Sequence, residues 1–215
     1  GGEIDPASPV GQNLVGLWHL NSNFSDSAGT NNGTCTTNCP TFVSGKLNGS
    51  AQFNGVVNSV NLGSLIMPPS GTFAAWVKSD FDETLETSNH HIFSTGGPDI
   101  WRLVFQGGGS SYRRYLLYIN SINRIIWKPT TDLSGWQHLA VTWSGTGSKL
   151  YLNGQEKVSS AGDHQQTLNQ AGALLGAGYP VRPTDFWQGG LDEVAIWNRA
   201  LTPAEVAQLA SAGGA

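Results

Sequence analysis

Short runs in which apolar and polar residues alternate recur along the chain, and turn-forming residues separate them. In runs such as Trp101–Gln106 and Trp136–Ser144, successive side chains point to opposite faces, as they do in a β-strand. The runs are Leu14–Leu20, Ser50–Phe53, Ser59–Leu62, Gly71–Lys78, His91–Ser94, Trp101–Gln106, Arg114–Asn120, Arg124–Lys128, Trp136–Ser144 and Lys149–Leu152. Closely spaced short strands of this kind are typical of an all-β sandwich or barrel.

The clearest pair of strands is Trp136–Ser144 with Lys149–Leu152, which residues 145–148 connect. Asn153-Gly154 follows the second strand, and this dipeptide readily adopts the positive φ angles of a type I′ turn. We therefore predict an antiparallel hairpin here and a further tight turn after it.

The two ends of the chain differ from this pattern. Residues 1–13 show little periodicity, which predicts an extended leader or linker before a domain at residues 14–212. After a last strand at Leu191–Trp197, residues 202–205 supply a threonine N-cap, a proline at N1 and a glutamate at N3. A short C-terminal helix is therefore expected, ending near Ala210.

Length and composition narrow the class of protein. A chain of 215 residues fits the roughly 200–250 residues that a single all-β domain often has. Its net charge of −4, with no extended Lys/Arg cluster, argues against a nucleic-acid partner. No apolar run approaches the roughly 20 residues of a membrane span, and no signal peptide is evident. We expect no membrane insertion.

Cys35 and Cys39 are the two cysteines of the chain, in the sequence Cys-Thr-Thr-Asn-Cys. No other cysteine, and no nearby histidine, is available to complete a zinc site. A local disulfide, formed in an oxidising compartment, is therefore the favoured interpretation over a redox motif. Because the closed loop is short, the bridge is expected to contribute little to stability.

A set of short motifs occurs in a characteristic order. They are Leu17-Trp18, Asp26-Ser-Ala-Gly29, Phe53-Asn-Gly55, Phe73-Ala-Ala-Trp76-Val77, Trp136-Gln-His138-Leu-Ala-Val-Thr142, Leu150-Tyr-Leu-Asn-Gly154 and Gly190-Leu-Asp-Glu-Val-Ala-Ile-Trp197. In this order they resemble the laminin-G-like family, over about residues 14–210. The resemblance implies a concanavalin A-like jelly roll, a sandwich of two antiparallel sheets, on which lectins, carbohydrate-binding modules and glucanases are all built.

The resemblance also implies a structural calcium ion. Members of the family often bind calcium through an acidic residue of the first loop, nearby carbonyl groups and the aspartate of the Gly-x-Asp-Glu-Val element. Carried to this chain, those roles fall on Asp26, Gly29, Asn32 and Asp192. The alternative is that Asp26 forms an Asx-turn within its own loop and Asp192 caps the end of a strand.

Catalytic motifs are weak in this sequence. The Glu-x-Asp-x-x-Glu spacing of the glucanase relatives is missing, as are nucleophile-elbow, phosphate-loop and zinc-protease motifs. The richest acidic cluster contains Asp82, Glu83 and Glu86, and it is expected to be a solvated loop. His138 lies within a predicted strand and is expected to have a structural role.

Aromatic and hydrogen-bonding residues, the two components of a sugar site, concentrate in two segments. The candidate ligand-binding residues are Trp101, Arg102, Tyr112, Arg113, Tyr115, Tyr118, Arg124 and Trp127 in the first segment, and Tyr179 and Trp187 in the second. Asn123 and Asp185 lie in the same segments and add polar groups. Alternation along a strand allows only half of the first segment to face a ligand.

Together, these observations and the resemblance predict a non-catalytic, lectin-like module that binds a polysaccharide or glycan. It is expected to be secreted or exposed at a cell surface, with calcium as a structural cofactor. A protein-adhesion module is the first alternative, which a continuous exposed apolar patch would favour. The second is a glycoside hydrolase or polysaccharide lyase, which two acidic residues facing one groove would favour.

Overall fold

Two antiparallel β-sheets form the molecule, as predicted. The computed structural model describes residues 2–96, 100–108, 112–120, 122–165, 172–178 and 183–212. Its strands are β1 Leu14–Trp18, β2 Thr41–Ser44, β3 Gly49–Asn54, β4 Val60–Asn61, β5 Gly71–Ser79, β6 His90–Thr95, β7 Trp101–Gln106, β8 Arg114–Ile119, β9 Ile122–Trp127, β10 Gln137–Ser144, β11 Gly147–Leu152, β12 Gln155–Ala161, β13 Ala173–Leu175 and β14 Gln188–Trp197. One helix, α1 Pro203–Ser211, follows the last strand.

The larger sheet has eight strands, in the order β12-β11-β10-β5-β14-β3-β2, with β1 also paired to β14. The predicted hairpin is β10 with β11, and Asn153 and Gly154 have the positive φ angles expected of the turn that follows it. The smaller sheet has six strands, in the order β4-β13-β6-β7-β8-β9.

Aromatic side chains from both sheets meet in the core between them. Phe73 of the larger sheet contacts Phe93 and Trp101 of the smaller one, with ring centroids 5.4 and 5.8 Å apart. Trp101 also packs on Trp143, at 5.2 Å. These four side chains are almost fully buried, so the hydrophobic effect holds the sheets face to face.

The N-terminal segment differs from the expected leader, because it packs against the domain. Ile4 and Val10 are buried in a second apolar cluster with Trp197 and with Leu209 of α1. Trp197 Nε1 donates a 2.8 Å hydrogen bond to the carbonyl of Val10. The two apolar side chains are too far apart in sequence to produce a periodic pattern, which is why the segment resembled a linker.

The predicted helix is present, with the predicted N-terminus. Thr202 is the N-cap, and its hydroxyl accepts a hydrogen bond from the Glu205 amide while the Glu205 carboxylate accepts one from the Thr202 amide. Val206 and Leu209 are the buried residues of the helix.

Cys35 and Cys39 form the predicted disulfide. The loop that it closes is tied to the domain by Asn58, whose Nδ2 donates to the carbonyl groups of Asn38 and Cys39. In the described part of the chain, no helix is long and apolar enough to cross a membrane.

Candidate ligand-binding face

The outer face of the six-stranded sheet carries the candidate site, and strand alternation selects its residues. In β7, Trp101, Leu103 and Phe105 point into the core. Arg102, Val104 and Gln106 therefore lie on the outer face. The cross-strand pairs Arg102 with Tyr118, Val104 with Leu116, and Gln106 with Arg114 extend this face onto β8.

A depression with a volume of about 280 Å³ lies on this face, and we call it the sheet pocket. Val104 and Leu116 form an apolar floor, and the other lining residues carry polar groups. Among the described residues, the lining is formed by Asn89, His91, Arg102, Val104, Gln106, Leu116, Tyr118, Asn123 and Asp185. An apolar floor surrounded by a few hydrogen-bonding groups is the usual composition of a small-molecule site.

Arg102 and Tyr118 form the central pair of the sheet pocket. The guanidinium carbon of Arg102 lies 4.5 Å from the centroid of the Tyr118 ring, a cation–π contact. The pocket therefore places a guanidinium group next to a phenol ring.

His91 and Asp185 line another part of the sheet pocket. Nδ1 of His91 lies 3.8 Å from a carboxylate oxygen of Asp185. Burial, together with the positive charge of Arg102, lowers the pKa of His91 to about 3. His91 is therefore neutral at physiological pH, and Arg102 and Asp185 are the two charged residues of the described lining.

Tyr112 and Arg114 lie beyond the pocket, near the start of β8. Arg114 Nε donates a 2.9 Å hydrogen bond to Gln106 Oε1, and its guanidinium carbon lies 5.3 Å from the centroid of Tyr112. The side chain of Tyr112 is 55% exposed. This predicted residue is therefore accessible, although it does not line the pocket.

Three predicted ligand-binding residues are in the core, which corrects their assignment. Trp101 and Trp187 have no exposed surface, and Tyr115 is 2% exposed. The side chains of Trp101 and Tyr115 point inward from their strands, and Trp187 lies in the core between the sheets. None of the three rings therefore has a face available to a ligand. Trp127 also lies on this side of the sheet, where it stacks on Tyr115 with ring centroids 5.9 Å apart.

The remaining predicted residues have other surroundings. Arg113 donates hydrogen bonds to the carbonyl groups of Leu85 and Glu86, so it holds the β5–β6 loop. Arg124 is half-buried, at a register shift between β8 and β9, and does not line the sheet pocket. Tyr179 lies outside the described residues. Of the nine predicted residues that the structure describes, Arg102 and Tyr118 therefore line the pocket.

Sequence reasoning missed several lining residues, notably Asn89, His91 and Gln106. Gln106 points to the same face of β7 as Arg102, so it could have been identified from the sequence by taking every residue on that face. His91 appeared to be a poor ligand because it is next to His90. The register shift between β6 and β7 near His91 is not readable from the sequence.

Asp26 organises its own loop, as the Asx-turn alternative describes. Its carboxylate accepts hydrogen bonds of 2.9–3.0 Å from four backbone amides, those of Leu17, Ala28, Gly29 and Asn31. The Asn32 side chain accepts a hydrogen bond from the Asp26 amide. The structure thus brings Asp26, Gly29 and Asn32 together through hydrogen bonds.

Asp192 has a different set of partners. Its Oδ2 accepts a 2.8 Å hydrogen bond from the Leu47 amide, whereas Oδ1 is buried and has no hydrogen-bond partner. Burial raises the pKa of Asp192 to about 7. An unsatisfied carboxylate oxygen is an atom that a cation would satisfy. Asp192 therefore fits a calcium ligand better than Asp26 does.

Glu3, His19 and Glu193 form a cluster of side chains that could hold a metal ion. Ligand atoms of Glu3, His19 and Glu193 lie within 4.8 Å of one another. His19 Nδ1 is 2.5 Å from Glu193 Oε1, and this hydrogen bond is the main cause that raises the pKa of His19. His19 is thus hydrogen-bonded within a group that also contains two carboxylates.

A comparison with family models shows to which protein superfamily the chain belongs. The Laminin_G_3 family model, described as the concanavalin A-like lectin/glucanases superfamily, matches residues 54–207. The chain belongs to this superfamily. The description of the superfamily covers both lectins and glucanases, so membership settles the fold family and leaves the activity to the site.

Solved structures of the superfamily fold superpose well on this chain. Domain 4 of AbnA, an extracellular arabinanase from Geobacillus stearothermophilus solved in complex with arabinotriose, is 28% identical, with a TM-score of 0.70. The match covers 92% of this chain and 98% of that domain. The binding domain of Paraclostridial Mosquitocidal Protein 1 is 17% identical, with a TM-score of 0.72, over 94% of this chain and 52% of that one. The second match shows the fold alone.

A curated relative is much longer than the present chain. The rat (Rattus norvegicus) protein named sushi, von Willebrand factor type A, EGF and pentraxin domain-containing protein 1 is 27% identical over 113 residues. The match covers 47% of this chain and 3% of that protein. The chain thus corresponds to a small part of this relative.

Because the superfamily includes glucanases, the positions of the acidic residues matter. Asp185 is the single carboxylate among the described residues that line the sheet pocket. Glu83, a predicted carboxylate candidate, is 1% exposed and hydrogen-bonded to Ser79 and Tyr115, so it has a structural role. Asp82 and Glu86 accept hydrogen bonds from amides of their own loop.

Proposed function

We propose that this chain is a carbohydrate-binding module that binds a glycan in the sheet pocket. The observation that carries the proposal is the arrangement of that pocket. The Arg102–Tyr118 pair and the side chains of His91, Asn123 and Asp185 surround an apolar floor on an open sheet face. Sugars combine hydroxyl groups with apolar C–H surfaces, so they match both components of such a surface.

The comparison with the arabinanase domain supports the same function. That domain is similar to the present chain over nearly its whole length, and its structure was solved with arabinotriose bound. Arabino-oligosaccharides are therefore the first glycans to test.

Binding is favoured over hydrolysis by the number of carboxylates. A two-carboxylate glycosidase needs an acid and a second carboxylate about 5–10 Å apart, facing one substrate. Asp185 alone occupies such a position in the described pocket lining. A second acidic residue from a separate strand would be required for turnover.

We also propose calcium as a structural ligand of the module, with Asp192 as its main contact. The support is the buried Oδ1 of Asp192, which has no hydrogen-bond partner. Participation of Asp26, Gly29 and Asn32 would require part of the Asp26 hydrogen-bond network to rearrange. A site outside the cell is proposed as well, since the disulfide requires oxidising conditions.

The test is isothermal titration calorimetry with the whole chain against arabino-, xylo-, gluco- and manno-oligosaccharides, combined with a reducing-sugar assay and an assay for unsaturated products. We expect binding without product. Arg102→Ala and Tyr118→Ala should each weaken binding at least about tenfold, the effect of losing roughly 1.4 kcal/mol of contact. Lys149→Ala, on the outer face of the other sheet, is the matched control and should bind normally.

Each contrary result points to a different function. Product formation by the wild-type chain would establish an enzyme. Binding that survives both Arg102→Ala and Tyr118→Ala would place the glycan elsewhere. No binding to any glycan would reject the module and favour the protein-adhesion alternative.

A further inference from the structure

We infer that the sheet pocket binds one or two residues of an electrically neutral glycan. This inference rests on the proposed function and specifies its ligand. Three properties of the described pocket lead to it, namely its aromatic content, its size and its charge.

The first property is the lack of an aromatic platform. Tyr118 is the one aromatic ring, other than the imidazole of His91, in the described lining of the pocket. Arg102 covers one face of the Tyr118 ring. A glycan chain that lies along a sheet is held by a series of exposed ring faces, each stacked on one sugar. With Trp101 and Trp187 in the core, the described lining of the pocket has no such series, and the exposed ring of Tyr112 lies beyond the pocket.

The second property is the size of the pocket. Its volume of about 280 Å³ lies just below the range of about 300–1,000 Å³ for clefts that hold drug-sized molecules. A depression of this size accommodates one sugar residue and part of the next. The rest of a longer chain must therefore lie outside the pocket, so residues beyond the second add little affinity.

The third property is the balance of charge. Arg102 supplies one positive charge and Asp185 one negative charge, and His91 between them is neutral. Arg114, farther along the face, is engaged with Gln106 and Tyr112. A sugar acid would meet Arg102 and Asp185 in the same pocket, so attraction to one charge is offset by repulsion from the other, and the cost of desolvating its carboxylate remains. A neutral sugar carries no such cost and finds donors and acceptors for its hydroxyl groups on Asn89, Asn123 and Asp185.

The experiment is calorimetry of the whole chain against ladders of increasing length. The neutral ladder is the oligosaccharide series that binds in the test above, from monosaccharide to hexasaccharide, and the acidic ladder is galacturonic acid and its oligomers. We expect affinity to rise from the monosaccharide to the disaccharide and then to stay within about twofold. The galacturonate ladder should bind at least about tenfold more weakly.

A matched pair of variants tests the charge argument. Asp185 has a φ of 52°, a conformation that asparagine also adopts readily, so Asp185→Asn should fold normally. It should gain at least about threefold in affinity for the galacturonate ladder. Asp132→Asn, an exposed aspartate outside the pocket, is the control and should show no gain.

The outcomes separate this inference from the function on which it rests. An affinity that keeps rising through the hexasaccharide would overturn the claim of a one- or two-residue site while leaving the module intact. Equal or tighter binding of galacturonates by the wild-type chain, or no gain in Asp185→Asn, would overturn the claim of neutrality. Failure to bind either ladder, or any glycan in the earlier test, would remove the proposed function itself.

Discussion

Tyr115 donates a 3.2 Å hydrogen bond to Glu83 across the buried end of the sandwich, joining β8 to the β5–β6 loop. The same carboxylate accepts hydrogen bonds from Ser79 Oγ at 2.6 Å and from the Leu133 amide at 3.0 Å. Glu83 therefore connects two loops and a strand of the smaller sheet. Two of the predicted candidate residues thus stabilise the fold together.

Removal of the Glu83 carboxylate is the first test of stability. Glu83→Ala leaves the Tyr115 hydroxyl and the Leu133 amide without their buried partner, so we expect a loss of about 3 kcal/mol in the free energy of unfolding. Urea denaturation measures this loss. Asp82→Ala, which removes an acidic residue of the same loop, is the control and should cost less than about 1 kcal/mol.

The stability that Glu83 contributes should decrease as the pH rises. Burial raises the pKa of this carboxyl above 4.5, so its stabilising contribution is complete below pH 4.5 and decreases as the pH rises through the folded-state pKa. Glu83→Gln cannot ionise and lacks this decrease. The destabilisation caused by Glu83→Gln should therefore be smaller at about pH 7.5 than at about pH 4.5. A difference that grows with pH would contradict the assigned environment.

Protonation of His138 should destabilise the fold in acid, so its contribution to stability changes with pH in the opposite direction to that of Glu83. Its imidazole is buried beside Trp76, and burial lowers its pKa from 6.5 to about 4. A lowered histidine pKa gives stability that is complete above pH 6.5 and is lost as the pH falls toward 4, by up to about 3 kcal/mol. His138→Phe should remove this part of the acid sensitivity. The comparison of wild type with variant isolates His138 from His91, whose pKa is also low.

Calcium is testable through thermal stability. If Asp192 binds the ion, added calcium should raise the melting temperature relative to EDTA, by an amount equivalent to about 2.7 kcal/mol at 100 times Kd. Asp192→Asn should abolish the increase. Asp26→Asn tests whether the first loop also binds the ion. If the calcium-dependent rise in melting temperature survives in this variant, Asp26 serves only its Asx-turn. No increase in the wild-type chain would reject calcium.

The disulfide should be dispensable for binding. Because Cys35 and Cys39 enclose only a short loop, the Cys35→Ser/Cys39→Ser double variant should lose at most about 2 kcal/mol of stability. Its affinity for the glycan should equal that of the wild-type chain. A large loss of stability would mean that the cysteine loop contributes packing beyond the cross-link.

Strand period, turn residues and helix caps are local signals, so they predicted an all-β sandwich or barrel with a C-terminal helix, whereas the two-sheet architecture was implied by the resemblance to the laminin-G-like family. The sequence pattern missed β2, β12 and β13 for equally local reasons. Gln155–Ala161 is largely polar and exposed, Thr41–Ser44 is an exposed edge strand, and Ala173–Leu175 has only three residues. In these strands the alternating pattern is weak or too short to recognise.

The candidate site was predictable only in part, because both faces of its strands contain apolar residues. Val104 and Leu116 lie on the outer face, so hydrophobicity did not distinguish it from the face that carries Trp101. The burial of Glu83 was equally hidden, since its partners Tyr115 and Leu133 are distant in the chain. Such placements depend on how the sheets pack, which local patterns do not encode.

The position of the last strand has a consequence for how the molecule folds. β14 lies inside the larger sheet, where it pairs with β1, β3 and β5. During synthesis, the early strands therefore have no neighbour on that side until residues 188–197 have left the ribosome. The larger sheet is therefore completed late, and its dependence on pairs between residues far apart in sequence favours slow folding.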